Sequence, residues 1–406
     1  MTVKERFLNY VSYWTTSEED VETFPSTKRQ FELAKVLEQE LKDLHLSKVK
    51  VDENCYVYGL LPATKGYENK KAIGFISHMD TAPDAPGKDV KPQIIENYDG
   101  NDIILPGTGE ILSVKDFPDL KTLTGRTLIT TDGTTLLGAD DKAGIAEILT
   151  AIEEIINENI PHGDIWIAFT PDEEVGRGTD FFDLDYFKAD YAYTLDGDYE
   201  GEVAYENFNA AAAVFQITGV NVHPGSAKDI MVNAAAVACE IQAMLPETET
   251  PWHTENREGF YNLMHISGNI GSAELSYIVR DHDKNLFRKR IDTLKSIEKK
   301  MNEKYHSDTV KLTVTDSYYN MLEVIEKHRY VVDIAEKAIQ SIGLELVSNP
   351  VRGGTDGAQL SFKGLPCPNL GTGGYGFHGP FEHISVEGME NAIKIIKEIV
   401  KNPIDV

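Results

Sequence analysis

The chain of 406 residues contains few cysteines. Cys55, Cys239 and Cys367 are the three it has, and they lie far apart in the sequence. A disulfide scaffold and a cysteine-rich zinc module both need cysteines at paired spacings, so the sequence excludes these two classes. The scarcity is typical of a protein in a reducing compartment.

Basic residues are also in short supply. The chain has 39 Lys and Arg residues against 66 Asp and Glu residues, which gives a net charge of −27 at pH 7. Binding to a phosphate backbone depends on lysine and arginine side chains that displace its counterions. We therefore expect no nucleic-acid partner.

The sequence lacks a long hydrophobic run. No stretch reaches about 18 consecutive apolar residues, the length at which a transmembrane helix is predicted. The first residues, MTVKER, carry charges before any apolar stretch, which is unlike a secretory signal. We expect a protein without a membrane partner, located in the cytoplasm.

Short apolar runs alternate with amphipathic helical patterns along much of the chain. The runs at 71–77, 164–170 and 191–195 have the length and near-continuous hydrophobicity of strands covered on both faces. Apolar residues at 145–156 recur at helical spacing between two of these runs. The alternation predicts an α/β domain with a mixed, largely parallel sheet and helices on both faces.

A different order of elements follows a shift in composition at 207–213. The pattern from there to about residue 320 predicts β-α-β-β-α-β, the split βαβ arrangement of an open-faced α/β sandwich. Such a unit buries its own core, so we predict an inserted lid or dimerisation domain at 209–320. Residues 1–208 and 321–406 would then form the catalytic domain.

Acidic and imidazole side chains collect directly after the predicted strands and before the long helix. The segments are His78-Met79-Asp80, Asp140-Asp141, Glu173-Glu174 and Asp196-Gly197-Asp198. Open α/β sheets bind ligands beyond the carboxyl ends of their strands, so these segments can converge there. Imidazole with several carboxylates suits zinc, manganese or cobalt, and like charges in one cleft need a cation among them.

Each segment alone has a simpler interpretation. Asp140-Asp141 could cap the following helix, and Glu173-Glu174 could belong to a solvated loop. His78-Met79-Asp80 and Asp196-Gly197-Asp198 could both be turns. Because all of these signals fall at corresponding positions of predicted elements, we favour one shared metal site over separate coincidences.

A set of longer motifs runs in one order along nearly the whole chain: ISHMDT, LLGADDKAG, TPDEEVGRG, TLDGD, VHPGSAKD, RGGTDG and GYGFHGPFEH. In these motifs the chain resembles the aminoacylase/carboxypeptidase family of co-catalytic zinc peptidases. The resemblance implies a hydrolase with two Zn²⁺ ions per chain, or Co²⁺ or Mn²⁺, since such ligands discriminate poorly. It further implies an aminopeptidase that releases the N-terminal residue from tripeptides through a water activated between the metals.

The resemblance also implies which residues bind the ions. His78 and Asp196 would hold one ion, and Glu174 and His378 would hold the other. Asp140 would bridge the two. These assignments are carried over from the family motifs and not from composition or spacing.

The histidine of the last motif has an alternative, because His383 lies close to His378. We prefer His378 because the family pattern places its ligand four residues before a glutamate, here Glu382. The family also implies a cis peptide bond after Asp140, a costly feature at a residue that is not followed by proline.

The resemblance gives catalytic roles to Asp80 and Glu173, and three further residues are candidates for contacts with the substrate. Asp80 would orient the first imidazole, and Glu173 would be the general base. His223 would lie over the metals and stabilise the oxyanion. Arg280 and Arg352 are candidates for binding the terminal carboxylate of the peptide, because a guanidinium matches a carboxylate in geometry.

Two kinds of alternative remain at this point. A related di-metal dipeptidase or N-acyl-amino-acid amidohydrolase would have nearly the same metal site. A non-catalytic metal-binding scaffold on the same fold is the alternative of another class. A dinucleotide-dependent enzyme is disfavoured because no G-x-G-x-x-G follows the first predicted strand. Monomer and homodimer are both compatible with the sequence.

Overall fold

The computed structural model describes residues 1–405 and divides into two compact units. The first comprises Met1–Tyr205, Glu323–Asn349 and the chain from Thr355 onwards, and the second comprises Glu206–Leu322 and Pro350–Gly354. The second unit therefore extends slightly beyond the predicted 209–320. It also takes Pro350–Gly354, which the sequence analysis placed in the catalytic domain.

Pro350–Gly354 belongs to the second unit because of one backbone pairing. The backbone N–H of Val351 donates to the carbonyl of Glu206 at 2.8 Å, and Val351 forms a parallel bridge with Asn207. This pairing joins residues that are distant in sequence, so no local pattern could predict it.

Within residues 1–405 the α-helices are α1 (Val3–Val11), α2 (Gln30–Asp43), α3 (Ala139–Asn157), α4 (Ala234–Ala243), α5 (Lys284–Lys304), α6 (Leu322–Ile325), α7 (Tyr330–Ser341), α8 (Asp356–Phe362) and α9 (Val386–Val400). The strands are β1 (Ser47–Val51), β2 (Val57–Leu61), β3 (Ile73–His78), β4 (Gln93–Ile95), β5 (Ile103–Ile104), β6 (Ile111–Leu112), β7 (Leu128–Thr130), β8 (Ile165–Thr170), β9 (Tyr191–Gly197), β10 (Val203–Ala204), β11 (Asn209–Thr218), β12 (Phe260–Gly268), β13 (Ser272–Asp281), β14 (Val310–Tyr318), β15 (Asn369–Gly371), β16 (Gly374–Tyr375) and β17 (His383–Ser385). None of these helices is both long and apolar enough to cross a membrane.

The first unit is built on a seven-stranded sheet of order β1-β2-β8-β3-β9-β15-β10. Its central strands β8, β3, β9 and β15 run parallel, and antiparallel strands lie at both edges. A smaller sheet of order β16-β17-β7-β4 belongs to the same unit. The predicted mixed, largely parallel sheet is confirmed.

Both faces of the central strands are covered, as their continuous hydrophobicity predicted. Every residue of β3 and β8 is buried. On one face of the sheet, Trp166 of β8 and Tyr58 of the neighbouring β2 enter an aromatic cluster that includes Phe187. On the other face α3 packs so closely that a Cβ atom at Gly144 would lie 2.2 Å from the carbonyl oxygen of Leu195.

The parallel arrangement sets the position of the polar segments. In β3, His78 pairs in register with Thr170 of β8, and β9 ends beside them at Gly197. The carboxyl ends of these strands therefore meet at one edge of the sheet. The segments that follow them reach that edge together.

The second unit has the element order β11-α4-β12-β13-α5-β14, which is the predicted β-α-β-β-α-β. Its four strands form an antiparallel sheet of order β12-β13-β11-β14. Helix side chains such as Ile241, Phe287 and Leu294 bury one face against Phe215 and other strand residues. Ile266 on β12 is 50% exposed, as an open-faced sandwich requires.

The close packing of α3 leads to a stability prediction. Gly144→Ala places its new methyl group 2.2 Å from Leu195 O and 2.5 Å from Ser77 Oγ, so the helix must move away from the sheet. We expect a loss of about 1–3 kcal/mol in the free energy of unfolding, in spite of the better helix propensity of alanine. Thermal or denaturant unfolding measures it.

Gly271→Ala is the matched control. A Cβ atom at Gly271 would meet only Asn269 Oδ1, at 3.5 Å. We expect its stability to stay within about 0.5 kcal/mol of the parent protein. Equal unfolding midpoints for the two variants would show that the α3 contact is not tight.

Candidate metal centre

His78 lies at the carboxyl end of β3 and is almost completely buried. Its Nε2 is 2.9 Å from Asp140 Oδ1 and 3.4 Å from Asp196 Oδ1. Its Nδ1 is 3.1 Å from the backbone carbonyl of Asp80, which fixes the orientation of the ring. His78, Asp140 and Asp196 were all predicted as metal ligands, and the structure brings them together.

Asp140 and Asp141 occupy the start of α3, where their φ/ψ angles are not helical. The peptide bond between them is cis, as the family resemblance implies. Asp141 Oδ2 accepts the backbone N–H of His78 at 3.1 Å. Its Oδ1 is buried and has no hydrogen-bond partner among residues 1–405.

Glu174 and His378 complete the cluster on its other side. His378 Nε2 is 3.0 Å from Glu174 Oε2 and 3.3 Å from Asp140 Oδ2. The two carboxylate oxygens of Asp140 therefore face different imidazoles, Oδ1 towards His78 and Oδ2 towards His378. Asp140, to which the resemblance gives the bridging role, thus lies between the two imidazoles.

His383, the alternative to His378, lies elsewhere and is fully buried. Its Nε2 is 2.7 Å from Asp119 Oδ2, and its Nδ1 is 2.8 Å from the carbonyl of Phe381. Both of its ring nitrogens are thus used in structural contacts away from the cluster.

Asp80 has a second contact that the sequence analysis did not anticipate. Besides its 3.4 Å approach to His78 Nδ1, its carboxylate accepts the backbone N–H groups of Glu173 at 3.0 Å and of Glu174 at 3.2 Å. Asp80 therefore links the imidazole to the turn that carries Glu173 and Glu174.

Asp172 anchors the same turn from the opposite side and was also missed. It is fully buried with a φ of 57°, and its carboxylate accepts from Ser26 N, Ser26 Oγ and Gln30 Nε2 at 2.5–2.7 Å. The only signal in the sequence was the position of Asp172 beside Glu173, because its partners lie some 140 residues away.

Charges of like sign are crowded at this sheet edge. Burial and the Asp140 carboxylate raise the pKa of Glu174 to about 8. Burial likewise raises the pKa of Asp196 to about 6 and that of Glu173 well above its ordinary value. Burial would lower the pKa of His78, but its hydrogen bonds to Asp140 and Asp196 outweigh this and raise it.

The donor set fits divalent metal ions. Ligand atoms of His78, Asp140 and Glu174 lie within 4.8 Å of one another, and so do those of His78, Asp141 and Asp196. Imidazole and carboxylate donors without thiolates suit Zn²⁺, Co²⁺ or Mn²⁺. The buried Asp141 Oδ1 without a partner and the crowded carboxylates both favour a cation here.

The predicted substrate-binding residues all belong to the second unit. His223 lies in an exposed turn, where its Nδ1 accepts the N–H of Gly225 at 3.1 Å. Arg280 donates to the carbonyl of Val279 at 3.1 Å, and its guanidinium lies 5.3 Å from the centre of the Tyr318 ring.

Arg352 is held more firmly within the second unit. It donates to the carbonyls of Asn256 and Glu258 and to Thr254 Oγ1 at 2.9–3.1 Å. Its guanidinium also lies 5.1 Å from the centre of the Phe208 ring. These contacts use three of the five N–H donors of the guanidinium, and the substrate role of Arg352 stays a prediction.

The sequence pattern of peptidase family M20/M25/M40 matches residues 132–402. Peptidase T of Caldanaerobacter subterraneus is 56% identical over 403 residues, 98% of each chain. Peptidase T of Clostridium perfringens is 54% identical over 400 residues, again 98% of each chain. The chain belongs to this peptidase family, which confirms the resemblance seen in the motifs and the predicted hydrolase class.

Solved structures share the fold. Aminopeptidase PepT from Bacillus cereus has a TM-score of 0.78 and 24% identity, with 98% of this chain and 97% of that chain covered. A dinuclear metal-binding peptidase of the M20 family from Bacillus subtilis has a TM-score of 0.66 and 13% identity, with 98% of both chains covered. At these identities the likeness shows the fold alone.

The crowded carboxylates lead to a prediction for metal removal and return. Adding Zn²⁺ or Co²⁺ to the metal-free protein at 100 times its dissociation constant should stabilise the fold by about 2.7 kcal/mol for each ion that binds. Differential scanning calorimetry measures the rise in the unfolding midpoint. His78→Ala should lose the part of the rise that comes from the ion assigned to His78, whereas His253→Ala, at an exposed turn of the second unit, should keep the full rise. A full rise in the His78 variant would remove this histidine from the metal site.

Proposed function

We propose that the protein is a di-metal aminopeptidase that releases the N-terminal residue from tripeptides. The observation that carries the proposal is the position of Asp140 between His78 and His378, with Glu173 on the adjoining turn. The similarity to proteins named peptidase T, at 52–56% identity over nearly the whole chain, supports the aminopeptidase activity. The tripeptidase from Staphylococcus aureus, with a TM-score of 0.78, has the same fold.

In this proposal two ions, Zn²⁺ or the similar Co²⁺ or Mn²⁺, are held by the predicted ligands. His78 and Asp196 would hold one ion, Glu174 and His378 would hold the other, and Asp140 would be a ligand common to both. When bound, such ions lower the pKa of a water molecule and polarise the scissile carbonyl.

Glu173 takes the role of general base. It follows directly after a buried anchor, Asp172, and its backbone N–H is held by Asp80, so the backbone position of Glu173 is well defined. Its raised pKa suits a group that accepts a proton from the attacking water and later gives it to the leaving amine. Asp80 orients the imidazole of His78 and the turn of Glu173 together.

The second unit would act as the lid of the site. We assign His223 to stabilising the oxyanion, and Arg280 or Arg352 to binding the terminal carboxylate of the substrate. Such a contact selects peptide length, because only a peptide of the right span can reach the metal ions and the lid at once.

A substrate comparison tests the proposed function. The purified protein should hydrolyse an unblocked tripeptide faster than the corresponding dipeptide or an N-acetylated amino acid, with release of the free N-terminal residue. Chelation should abolish the reaction, and return of Zn²⁺, Co²⁺ or Mn²⁺ should restore it. Preference for the acylated compound would instead indicate an amidohydrolase of the same family. Absence of hydrolysis with metals bound would indicate a scaffold.

Glu173→Gln separates catalysis from metal binding. The substitution keeps the size of the side chain but removes the proton acceptor, so kcat should fall by about 10²–10⁴-fold. Elemental analysis should give the same metal content as for the parent protein. Glu53→Gln, at a loop position that takes no part in the cluster, is the control and should leave both quantities unchanged. Unimpaired hydrolysis by the Glu173 variant would contradict its role as base.

A further inference from the structure

Glu382 carries a carboxylate that is completely buried. All of its hydrogen bonds in residues 1–405 go to one short backbone segment. Its Oε2 accepts the N–H groups of Leu137 at 2.6 Å and Gly138 at 2.8 Å, and its Oε1 accepts that of Asp140 at 3.0 Å. A hydrogen bond from a backbone N–H to an ionised carboxylate is stronger than one to a neutral acceptor. The Glu382 carboxylate therefore anchors this segment firmly.

The anchored segment is the start of α3, where backbone N–H groups have no partner within the helix. A side chain at the N-cap commonly accepts one of them. Here the N-cap is Gly138, in the left-handed conformation with a φ of 82°, and it has no side chain to do so. Glu382 supplies the acceptor from more than 240 residues further along the chain. Its negative charge also matches the positive end of the helix dipole.

Glu382 is also tied to the loop of His378. It lies four residues after His378, and its own N–H donates to the carbonyl of Gly379 at 3.3 Å. One carboxylate therefore joins the backbone that carries His378 to the backbone that carries Asp140. The two side chains approach each other to 3.3 Å between His378 Nε2 and Asp140 Oδ2.

A buried carboxylate needs a countercharge nearby. The ammonium group of Lys142, also buried, interacts electrostatically with Glu382 and with Asp80. Lys142 Nζ donates to the carbonyl of Tyr13 at 2.8 Å. Lys142 is thus a buried basic side chain of the first unit whose charge favours the ionised form of Glu382.

We propose that Glu382 is a positioning residue that sets the distance between His378 and Asp140 and thereby the affinity of the Glu174/His378 metal site. The proposal rests on the ligand assignment of the proposed function. It goes beyond that assignment because Glu382 is not among the predicted ligands and its carboxylate binds backbone N–H groups.

The effect should be confined to one of the two metal sites. His78 and Asp196 lie on β3 and β9, and the hydrogen bonds between these neighbouring parallel strands fix their backbones. Glu382 makes no hydrogen bond to either strand among residues 1–405. Asp140 is common to both sites, whereas the loop of His378, which Glu382 joins to the start of α3, belongs to one site only. Loss of the Glu382 carboxylate should therefore weaken the Glu174/His378 site more than the His78/Asp196 site.

Glu382→Gln is the direct test, because the side chain keeps its size. Whichever way the new amide lies, its NH₂ group faces at least one backbone N–H that has lost its acceptor. Calorimetric titration of the metal-free protein with Zn²⁺ follows both binding events. His378→Ala identifies the event that belongs to the Glu174/His378 site.

We expect Glu382→Gln to weaken that event by about 10–100-fold and to leave the other within about threefold of the parent value. In peptide hydrolysis, the lost activity should be restored in part by raising the Zn²⁺ concentration. The difference between the two binding events is what separates positioning from a general loss of stability. Asp164→Asn is the matched control. Asp164 lies just before β8, and its Oδ1 accepts the N–H of Ala63 at 2.8 Å. Asparagine removes the charge but keeps an acceptor oxygen, so this variant should bind Zn²⁺ at both sites as the parent protein does.

If the Gln variant does not fold, Glu382→Asp takes its place, since it keeps the charge beside Lys142 but is one methylene too short to reach all three N–H groups. Equal affinities in the variant and the parent protein, or an equal weakening of both events, would overturn the positioning role. A parent protein that binds fewer than two ions, or that binds two and hydrolyses no peptide, would contradict the proposed function instead.

Discussion

The constraint on which this structure depends is the repulsion among carboxylates gathered at one edge of the central sheet. Asp140, Glu174 and Asp196 are largely buried there, and burial raises the pKa of the latter two. Divalent cations among these groups would relieve the repulsion, and the imidazoles of His78 and His378 supply further ligands. The fold contributes rigidity, because parallel strands bring their carboxyl ends to the same place without any flexible segment between them.

A second layer of charged groups fixes the backbone around this edge. Asp80 holds the N–H groups of the Glu173 turn, Asp172 anchors that turn to Ser26 and Gln30, and Glu382 holds the start of α3. Each of these carboxylates accepts N–H groups from residues far away in the sequence. These hydrogen bonds hold the backbone of the predicted ligands and of the predicted base in place. Precise geometry can therefore be maintained although these residues lie on loops.

Much of the fold could be predicted because its signals are local. The continuous apolar runs of β3 and β8 reflect burial on both faces, and the helical stripe of α3 reflects one packed surface. The element order of 209–318 was predicted for the same reason. Pro350–Gly354 could not be assigned to the second unit from the sequence. Its place there depends on the pairing of Val351 with Glu206 and Asn207, and no pattern in the neighbouring residues predicts that pairing.

The sequence by itself determined the class of the elements, the family, and which side chains follow each strand, since these depend on residue type and on spacing along the chain. Only the tertiary structure decided that the oxygens of Asp140 face separate imidazoles, that His383 pairs with Asp119 away from the cluster, and that Glu382 caps α3. These outcomes are set by atom-to-atom distances across the fold. Such distances result from the packing of helices and strands remote in sequence, which periodicity cannot encode.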